Sequence, residues 1–100
     1  MDISIGDLRS FVTVAELESF QEAAFALNIS QPALSRRVQK LEEMLGVQLL
    51  ERTTRQISLS TVGRDFLPKA QRLIDELDTS LLSVREIAEQ SHIANPSQLP

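Results

Sequence analysis

The side chains that could carry chemistry are concentrated between residues 30 and 55 of the 100-residue chain. Within that segment Arg36, Gln39 and Lys40 are spaced so that they share one face of an α-helix. An arginine can bind guanine through two hydrogen bonds, a glutamine can bind adenine in the same way, and a lysine can neutralise a phosphate. The spacing therefore predicts a helix face that reads the edges of DNA bases.

Other kinds of site are poorly supplied by this sequence. The absence of cysteine excludes disulfides, thiolate catalysis and cysteine-bound zinc, and a single histidine (His92) cannot build a metal site or a nucleophilic triad. We interpret the carboxylates of Glu42, Glu43 and Glu51 as solvated charges or local ion pairs rather than as an acid–base pair. No apolar run approaches the ~20 residues of a membrane span, and no signal-peptide pattern opens the chain. We expect a cytoplasmic protein with no enzymatic activity, no metal and no membrane contact.

The charge distribution is compatible with an anionic partner, although the formal net charge is −4. Residues 36–64 carry six basic side chains against three acidic ones, whereas residues 1–35 and 65–100 are both net acidic. A basic centre between acidic flanks can face a polyanion while the outer surfaces keep the protein soluble. Charge alone is equally compatible with an ordinary solvated face.

Two helices are predicted ahead of the basic segment. Apolar residues recur at helical spacing over residues 5–15, and again over residues 20–27 behind a capping box that begins at Ser19. Asn28 stands where the second helix should end, because asparagine tolerates the left-handed conformation of a tight turn. Only about three residues then precede the third helix, a spacing typical of the helix-turn-helix.

The third helix is the most informative element of the sequence. Ser30 is its expected N-cap, Gly46 ends it, and Leu34, Val38 and Leu41 belong to its buried stripe. At about 100° per residue the basic and amide side chains fall on the opposite face, and the helix N-terminus favours phosphate or base contacts. The residues predicted to face DNA are Ser30, Gln31, Pro32, Arg36, Gln39 and Lys40, with Ser35 on the flank of the same face.

A β-hairpin is predicted after the third helix. Residues 49–50 and 57–59 have the pattern of two short strands, and a polar stretch with Arg52, Thr53 and Arg55 joins them. These side chains suit a narrow minor groove or the flanking phosphates. Three helices followed by such a wing predict a mainly α fold, the winged helix-turn-helix.

A long final helix is predicted from Thr61 to about Glu89, with Ser60 as N-cap and a distortion at Pro68. Its apolar residues are spaced alternately three and four apart, which is a heptad seam. Because three helices and a wing already supply a core, we predict that the seam joins two copies of the chain; the alternative is packing on its own domain. The seam residues are Leu67, Ala70, Ile74, Leu77, Leu81, Val84 and Ala88.

Several segments together match the pattern of one known family. They are Leu8–Glu16, Ser19-Phe20, Ala23-Ala24, Leu27–Arg36, Leu41-Glu42, Leu45–Val47, Leu49–Arg52 and Leu59–Gly63. In these segments the sequence resembles the LysR-type transcriptional regulators, over residues 8–67 without a gap and more loosely through the long helix. The resemblance implies a bacterial regulator that binds interrupted inverted repeats of double-stranded DNA as a homodimer or homotetramer.

The resemblance also implies roles for particular residues and a domain order. It places Gln31, Pro32, Ser35 and Arg36 in the major groove and assigns the arginines at 52 and 55 to the wing. The expected order is a winged helix-turn-helix at residues 1–60, a dimerising linker helix at 61–90, and a hinge at 91–100 toward a larger effector-binding domain. A small-molecule inducer would bind that domain, so we expect no cofactor in this chain.

Four residues depart from the family pattern. Glu18 stands where glycine is usual, Glu22 where a basic residue is common, Phe25 where a polar residue is usual, and Gln56 at the second basic position of the wing. If the backbone at residue 18 is left-handed, glutamate there costs roughly 1 kcal/mol.

Other interpretations remain compatible with the sequence. A winged helix used for protein contact, with the long helix as a coiled-coil adaptor, would suit the negative net charge, and its duplex binding would lack a steep salt dependence. A different winged-helix regulator, such as the molybdate-responsive type, would share the fold. An enzyme would need a reactive group that we do not find.

Overall fold

The structure is a computed structural model that describes residues 2–53 and 56–90. In these residues it contains helices and one two-stranded antiparallel sheet. In chain order the elements are α1 (Ile5–Leu17), α2 (Phe20–Leu27), α3 (Gln31–Leu45), β1 (Leu50–Arg52), β2 (Ile57–Leu59) and α4 (Thr61–Gln90). The predicted mainly α winged helix-turn-helix with a long final helix is confirmed. The predicted hinge at residues 91–100 lies outside the described residues.

Each of the first three helices begins at a serine that caps it. The Ser19 hydroxyl accepts a hydrogen bond from the Glu22 amide at 3.1 Å, and the Ser30 hydroxyl accepts one from the third residue of α3 at 3.2 Å, so both predicted N-caps are present. Of the capping box predicted at Ser19, the described residues show this bond and not the return bond to the Glu22 side chain. The cap of α1 was not among the predicted ones. There Ser4 and Asp7 form a full capping box, in which each side chain accepts from the other residue's backbone N–H.

The same three helices end in left-handed residues. The φ angles are 53° at Glu18, 57° at Asn28 and 69° at Gly46. Asparagine and glycine adopt this region at low cost, whereas glutamate does not. The left-handed conformation anticipated at residue 18 is therefore present.

Replacing Glu18 by glycine is expected to raise the free energy of unfolding by about 1 kcal/mol, because glycine carries no Cβ to clash in this conformation. Urea unfolding of the two proteins measures the difference. Asn28→Gly is the matched control at the next left-handed cap, and we expect a smaller change there because asparagine already tolerates the conformation. Equal stabilisation by the two substitutions would contradict the strain assigned to Glu18.

The core lies where α1 meets the other elements. Phe11 and Val14 of α1 are fully buried, and the ring of Phe11 lies 5.6 Å from that of Phe66 on α4. α3 and the start of the wing add further buried side chains, so α3 and the wing are both held by the same core. The remaining fully or almost fully buried apolar residues are Ala23, Leu34, Val38, Leu41, Leu49, Leu50 and Ala70.

The first half of α4 packs against its own domain, which corrects the predicted dimer seam. Ala70 is fully buried, Ile74 is 8% exposed, and Leu67 packs against the same core. Arg9 on α1 donates a hydrogen bond of 2.6 Å to Asp78, which adds an exposed ion pair between the two helices. The assignment of Ala70 and Ile74 to a dimer contact is therefore wrong, because α1 already covers these side chains.

The second half of α4 is different. Every residue from Asp78 to Gln90 is exposed. Pro68, in the first half, does not interrupt the helix, which is continuous from Thr61 to Gln90. Because α4 has 30 residues, it accounts for much of the 60 Å length of the described chain. The seam residues that stay exposed are Leu81, Val84 and Ala88, while Leu77 is half-buried.

The start of α4 approaches the segment before β1 very closely. Ser60 donates through its hydroxyl to the Gln48 carbonyl at 2.6 Å, and its amide donates to the Leu49 carbonyl at 2.9 Å. The same hydroxyl accepts from the Gly63 amide at 2.9 Å, which confirms Ser60 as the cap of α4. A Cβ on Gly63 would overlap the Leu49 carbonyl oxygen, so only glycine fits at this position.

Candidate nucleic-acid interface

One face of α3 is free of the core and carries most of the predicted DNA contacts. Leu34, Val38 and Leu41 are fully buried on the opposite face. The predicted contacts Ser30, Gln31, Pro32, Arg36, Gln39 and Lys40 are exposed, and Ser35 is half-buried on the flank. The structure thus places these side chains together on one exposed helix surface.

The α1 side of this surface carries a basic recess of about 480 Å³, whose lining includes Arg36, Arg37 and Lys40. Lys40 lies 3.5 Å from the buried carboxylate of Asp7, so this ion pair links α3 to the N-terminus of α1. Among residues 2–53 and 56–90 neither arginine has an ion-pair partner. Arg37 is not among the predicted DNA contacts, because the helical projection puts it near the edge of the buried stripe. It directly follows Arg36, and this pair of adjacent arginines is the sequence feature that could have identified it.

The wing is the hairpin formed by β1 and β2, in which Leu50 pairs with Leu59 and Arg52 pairs with Ile57. β1 therefore begins one residue later than predicted and extends to Arg52. Thr53 was predicted to contact DNA, and its hydroxyl accepts from the Gln56 amide at 3.0 Å and so helps to close the hairpin. A DNA contact by Thr53 stays a prediction, and Arg55 lies outside the described residues.

Arg52 of the wing is held against two helices. Its guanidinium lies 4.7 Å from the ring centroid of Phe20, the first residue of α2, and 3.9 Å from a carboxylate oxygen of Glu42 on α3. Arginine over an aromatic face is a cation–π contact. A contact of Arg52 with the minor groove or the flanking phosphates stays a prediction, and the structure gives its guanidinium contacts within its own domain.

Glu42 is the second residue whose role sequence reasoning missed. One of its carboxylate oxygens accepts hydrogen bonds from the backbone amides of Leu49 at 2.8 Å and Leu50 at 3.2 Å. Its side chain is 16% exposed, so the interpretation as a solvated charge is wrong, whereas the local ion pair with Arg52 is present. Nothing in the local sequence pattern signals this contact, because it spans from α3 to the wing.

The departures from the family pattern occupy four different environments. Glu18 is the left-handed C-cap of α1, and Gln56 lies in the turn of the wing. The backbone N–H of Glu22 donates to the hydroxyl of Ser19, the N-cap of α2. Phe25 projects from α2 and is 89% exposed. None of the four replaces a residue on the exposed face of α3.

Two kinds of feature are not found in the described part of the chain. No helix among residues 2–53 and 56–90 has the length and apolar character to cross a membrane. The same residues contain no group of three or more His, Cys, Asp or Glu side chains that could hold a metal ion.

A recognition helix with an exposed basic and amide face, packed on two helices and followed by a wing, defines a winged helix-turn-helix DNA-binding domain. Residues 5–64 match the family model described as "Bacterial regulatory helix-turn-helix protein, lysR family". The chain belongs to the LysR family of transcriptional regulators, and it is a DNA-binding domain rather than an enzyme.

Individual relatives agree with this assignment. The chain is 46% identical over 87 residues to the uncharacterised HTH-type transcriptional regulator YbhD of Escherichia coli, a match that covers 87% of this chain and 27% of YbhD. It is 45% identical over 86 residues to the HTH-type transcriptional regulator CrgA of Neisseria meningitidis, with 83% and 29% of the two chains covered. The chain thus spans less than a third of the length of these relatives.

Among solved structures, the BenM DNA-binding domain in complex with catB site 1 DNA superposes with a TM-score of 0.82 at 42% identity, and the match covers 85% of this chain and 94% of that one. DarR of Vibrio fischeri in complex with DNA gives a TM-score of 0.83 at 28% identity, over 90% of this chain and 31% of that one. Both structures therefore share the fold and were solved bound to DNA.

Proposed function

We propose that two copies of this chain bind an interrupted inverted repeat in double-stranded DNA, with α3 in the major groove and the wing in the adjacent minor groove, and thereby regulate transcription. The observation that carries the proposal is the exposed face of α3, which presents hydrogen-bonding and basic side chains opposite a fully buried stripe. The major groove admits an α-helix and displays a different donor and acceptor pattern for each base pair. BenM and DarR, which share the fold, were solved in complex with DNA, and this supports DNA as the partner of the present chain.

The proposed roles on α3 follow from the position of each side chain. Gln31, Pro32 and Ser35 lie in the first half of the helix, where recognition helices meet base edges. Arg36 is exposed and suited to a guanine. Gln39 lies one turn further along, and we assign Lys40, which is exposed and pairs with Asp7, to a phosphate contact.

The proposed dimer uses the second half of α4. A contiguous patch of large apolar side chains on the surface of a soluble protein often marks a contact with another protein. Leu81 and Val84 are more than half exposed and continue the stripe that α1 covers further up the helix. A two-fold dimer would place two recognition helices ~34 Å apart, or at a multiple of that distance, to match two half-sites. A homotetramer and a small-molecule inducer, as the family resemblance implies, would involve regions beyond this chain.

Selection of bound duplexes from a random DNA library, using this 100-residue chain, tests the proposal. We expect the retained duplexes to share a motif with two-fold symmetry, which requires both base reading and dimer formation. Retention without a shared motif would reduce the function to phosphate binding. No retention even at low salt would contradict DNA binding and favour the protein-contact interpretation of the fold.

Arg36→Ala is expected to weaken binding to the selected duplex by about 1–3 kcal/mol and to relax the sequence preference at one base pair. Fluorescence anisotropy with the selected duplex and with single-base variants measures both effects. Arg72→Ala, which removes the same charge from an exposed position on α4, is the control. An equal loss of affinity on every duplex would move Arg36 from base reading to phosphate contact.

A further inference from the structure

We propose that Glu42 and Arg52 form a bracket that fixes the wing against the recognition helix, and that both residues serve DNA binding by positioning the wing rather than by touching DNA. The inference rests on the proposed function, because a fixed wing matters when two grooves are bound at once. The term bracket denotes these two side chains together with their contacts on Leu49, Leu50 and Phe20.

The first arm of the bracket joins α3 to the beginning of β1. One Glu42 oxygen accepts from two successive backbone amides, those of Leu49 and Leu50, at 2.8 Å and 3.2 Å. Hydrogen bonds to a carboxylate are stronger than those between neutral groups, and a side chain only 16% exposed meets little competition from water. The recognition helix therefore holds the strand that leads into the wing directly, in addition to the shared core.

The second arm joins the end of β1 to two helices. The other Glu42 oxygen faces the Arg52 guanidinium at 3.9 Å, and the same guanidinium lies over Phe20 at 4.7 Å. One planar cation thus contacts α2 and α3 from the last residue of β1. Lysine carries the same charge but lacks the planar group that stacks and pairs in this way. The bracket therefore requires arginine at residue 52, whereas lysine would suffice if residue 52 only neutralised a phosphate.

The bracket also explains how the carboxylate of Glu42 can lie beside the proposed DNA surface. A groove of about 500 Å³ lies between α3 and β1, and its lining includes Gln39, Glu42, Glu43 and Arg52. In the proposed complex the DNA strand between the two bound grooves passes this region. A free carboxylate would repel its phosphates, but that of Glu42 is matched by two N–H donors and one guanidinium.

Graded substitutions separate the two arms. Glu42→Gln keeps an oxygen for the two amides but places an N–H group toward Arg52, while Glu42→Ala removes both arms. Arg52→Lys keeps the charge and removes the planar contacts. Glu43→Gln is the matched control, because Glu43 is an exposed neighbour in the same groove and the substitution removes the same negative charge.

Hydroxyl-radical footprinting on the selected duplex is the decisive measurement. Protected nucleotides that flank the selected motif are assigned to the wing, and those within the motif are assigned to α3. We expect Glu42→Ala and Arg52→Lys to lose the wing protection, keep the α3 protection at saturating protein, and bind roughly tenfold more weakly. Glu42→Gln should show a partial loss, and Glu43→Gln should keep both protections.

Three results would overturn the bracket. Wild-type footprint and affinity in Arg52→Lys would mean that Arg52 acts through its charge. The same footprint in Glu42→Ala and Glu43→Gln would leave Glu42 with no positioning role. Joint loss of both protections in Glu42→Ala would show a general loss of stability instead.

Failure of the proposed function gives a distinct result, because the wild-type chain would then retain no duplex, or only duplexes without a shared motif. In that case amide hydrogen exchange at Leu49 and Leu50 tests the bracket without DNA. Faster exchange of these two amides in Glu42→Ala than in Glu43→Gln supports the bracket, and equal exchange overturns it.

Discussion

Replacing Gly63 by alanine is expected to destabilise the domain by about 3 kcal/mol and to lower its melting temperature by roughly 10–20 °C. The added Cβ would overlap the carbonyl oxygen of Leu49 and lie 3.2 Å from a methyl group of Leu59. The carbonyl cannot move away cheaply, because it accepts the Ser60 amide and belongs to a fully buried residue. Differential scanning calorimetry of the two proteins measures the change.

Gly6→Ala is the matched control for this experiment. A Cβ at Gly6 would meet only the side chains of Arg37 and Ser4, each at 3.6 Å, which is ordinary van der Waals contact. Alanine also favours a helix over glycine by about 1 kcal/mol, so we expect an unchanged or higher melting temperature. Equal melting temperatures for Gly63→Ala and the wild type would show that α4 can shift away from Leu49.

Leu81→Glu is expected to separate the proposed dimer and to weaken binding to a two-half-site duplex by about 100-fold or more, because each half-site must then be bound independently. The substitution buries no charge in the monomer, since Leu81 is 56% exposed and lies beyond the part of α4 that α1 covers. Sedimentation equilibrium reports the mass, and titration of duplexes with one or two half-sites reports the affinity.

Leu82→Glu is a close control for that experiment. Leu82 is 53% exposed and adjacent in sequence, but it is turned by about 100° around the helix, away from the seam. We expect Leu82→Glu to keep the dimer mass and the preference for two half-sites. Identical behaviour of the two variants would contradict the assignment of the seam to one face of α4.

Local chemistry made much of the fold predictable. The caps at Ser19 and Ser30 and the terminating Gly46 depend on a few adjacent residues, and the structure confirms each of them. The exposed face of α3 follows from the spacing of Leu34 and Val38, because helical periodicity fixes which side chains lie opposite. These predictions required no knowledge of how the elements pack together.

The remaining features depend on contacts between distant parts of the chain. A heptad pattern shows that a stripe is covered but does not identify the covering surface, so Ala70 and Ile74 were wrongly assigned to a partner. The bracket at Glu42 and Arg52 arises only when the wing folds back on α3. The requirement for glycine at residue 63 likewise comes from the close approach of α4 to the chain before β1.

The contact between Arg9 and Asp78 has a mechanical consequence for the proposed dimer. Together with the buried Ala70 and Ile74, it holds the first half of α4 against α1, so the exposed half extends as an arm from the body that carries α3. A stiff arm transmits torque, and each added base pair rotates one half-site by about 34° relative to the other. In that dimer the arm would set both the distance and the rotation between the two copies of α3. Operators whose spacers differ by a single base pair would therefore bind more weakly.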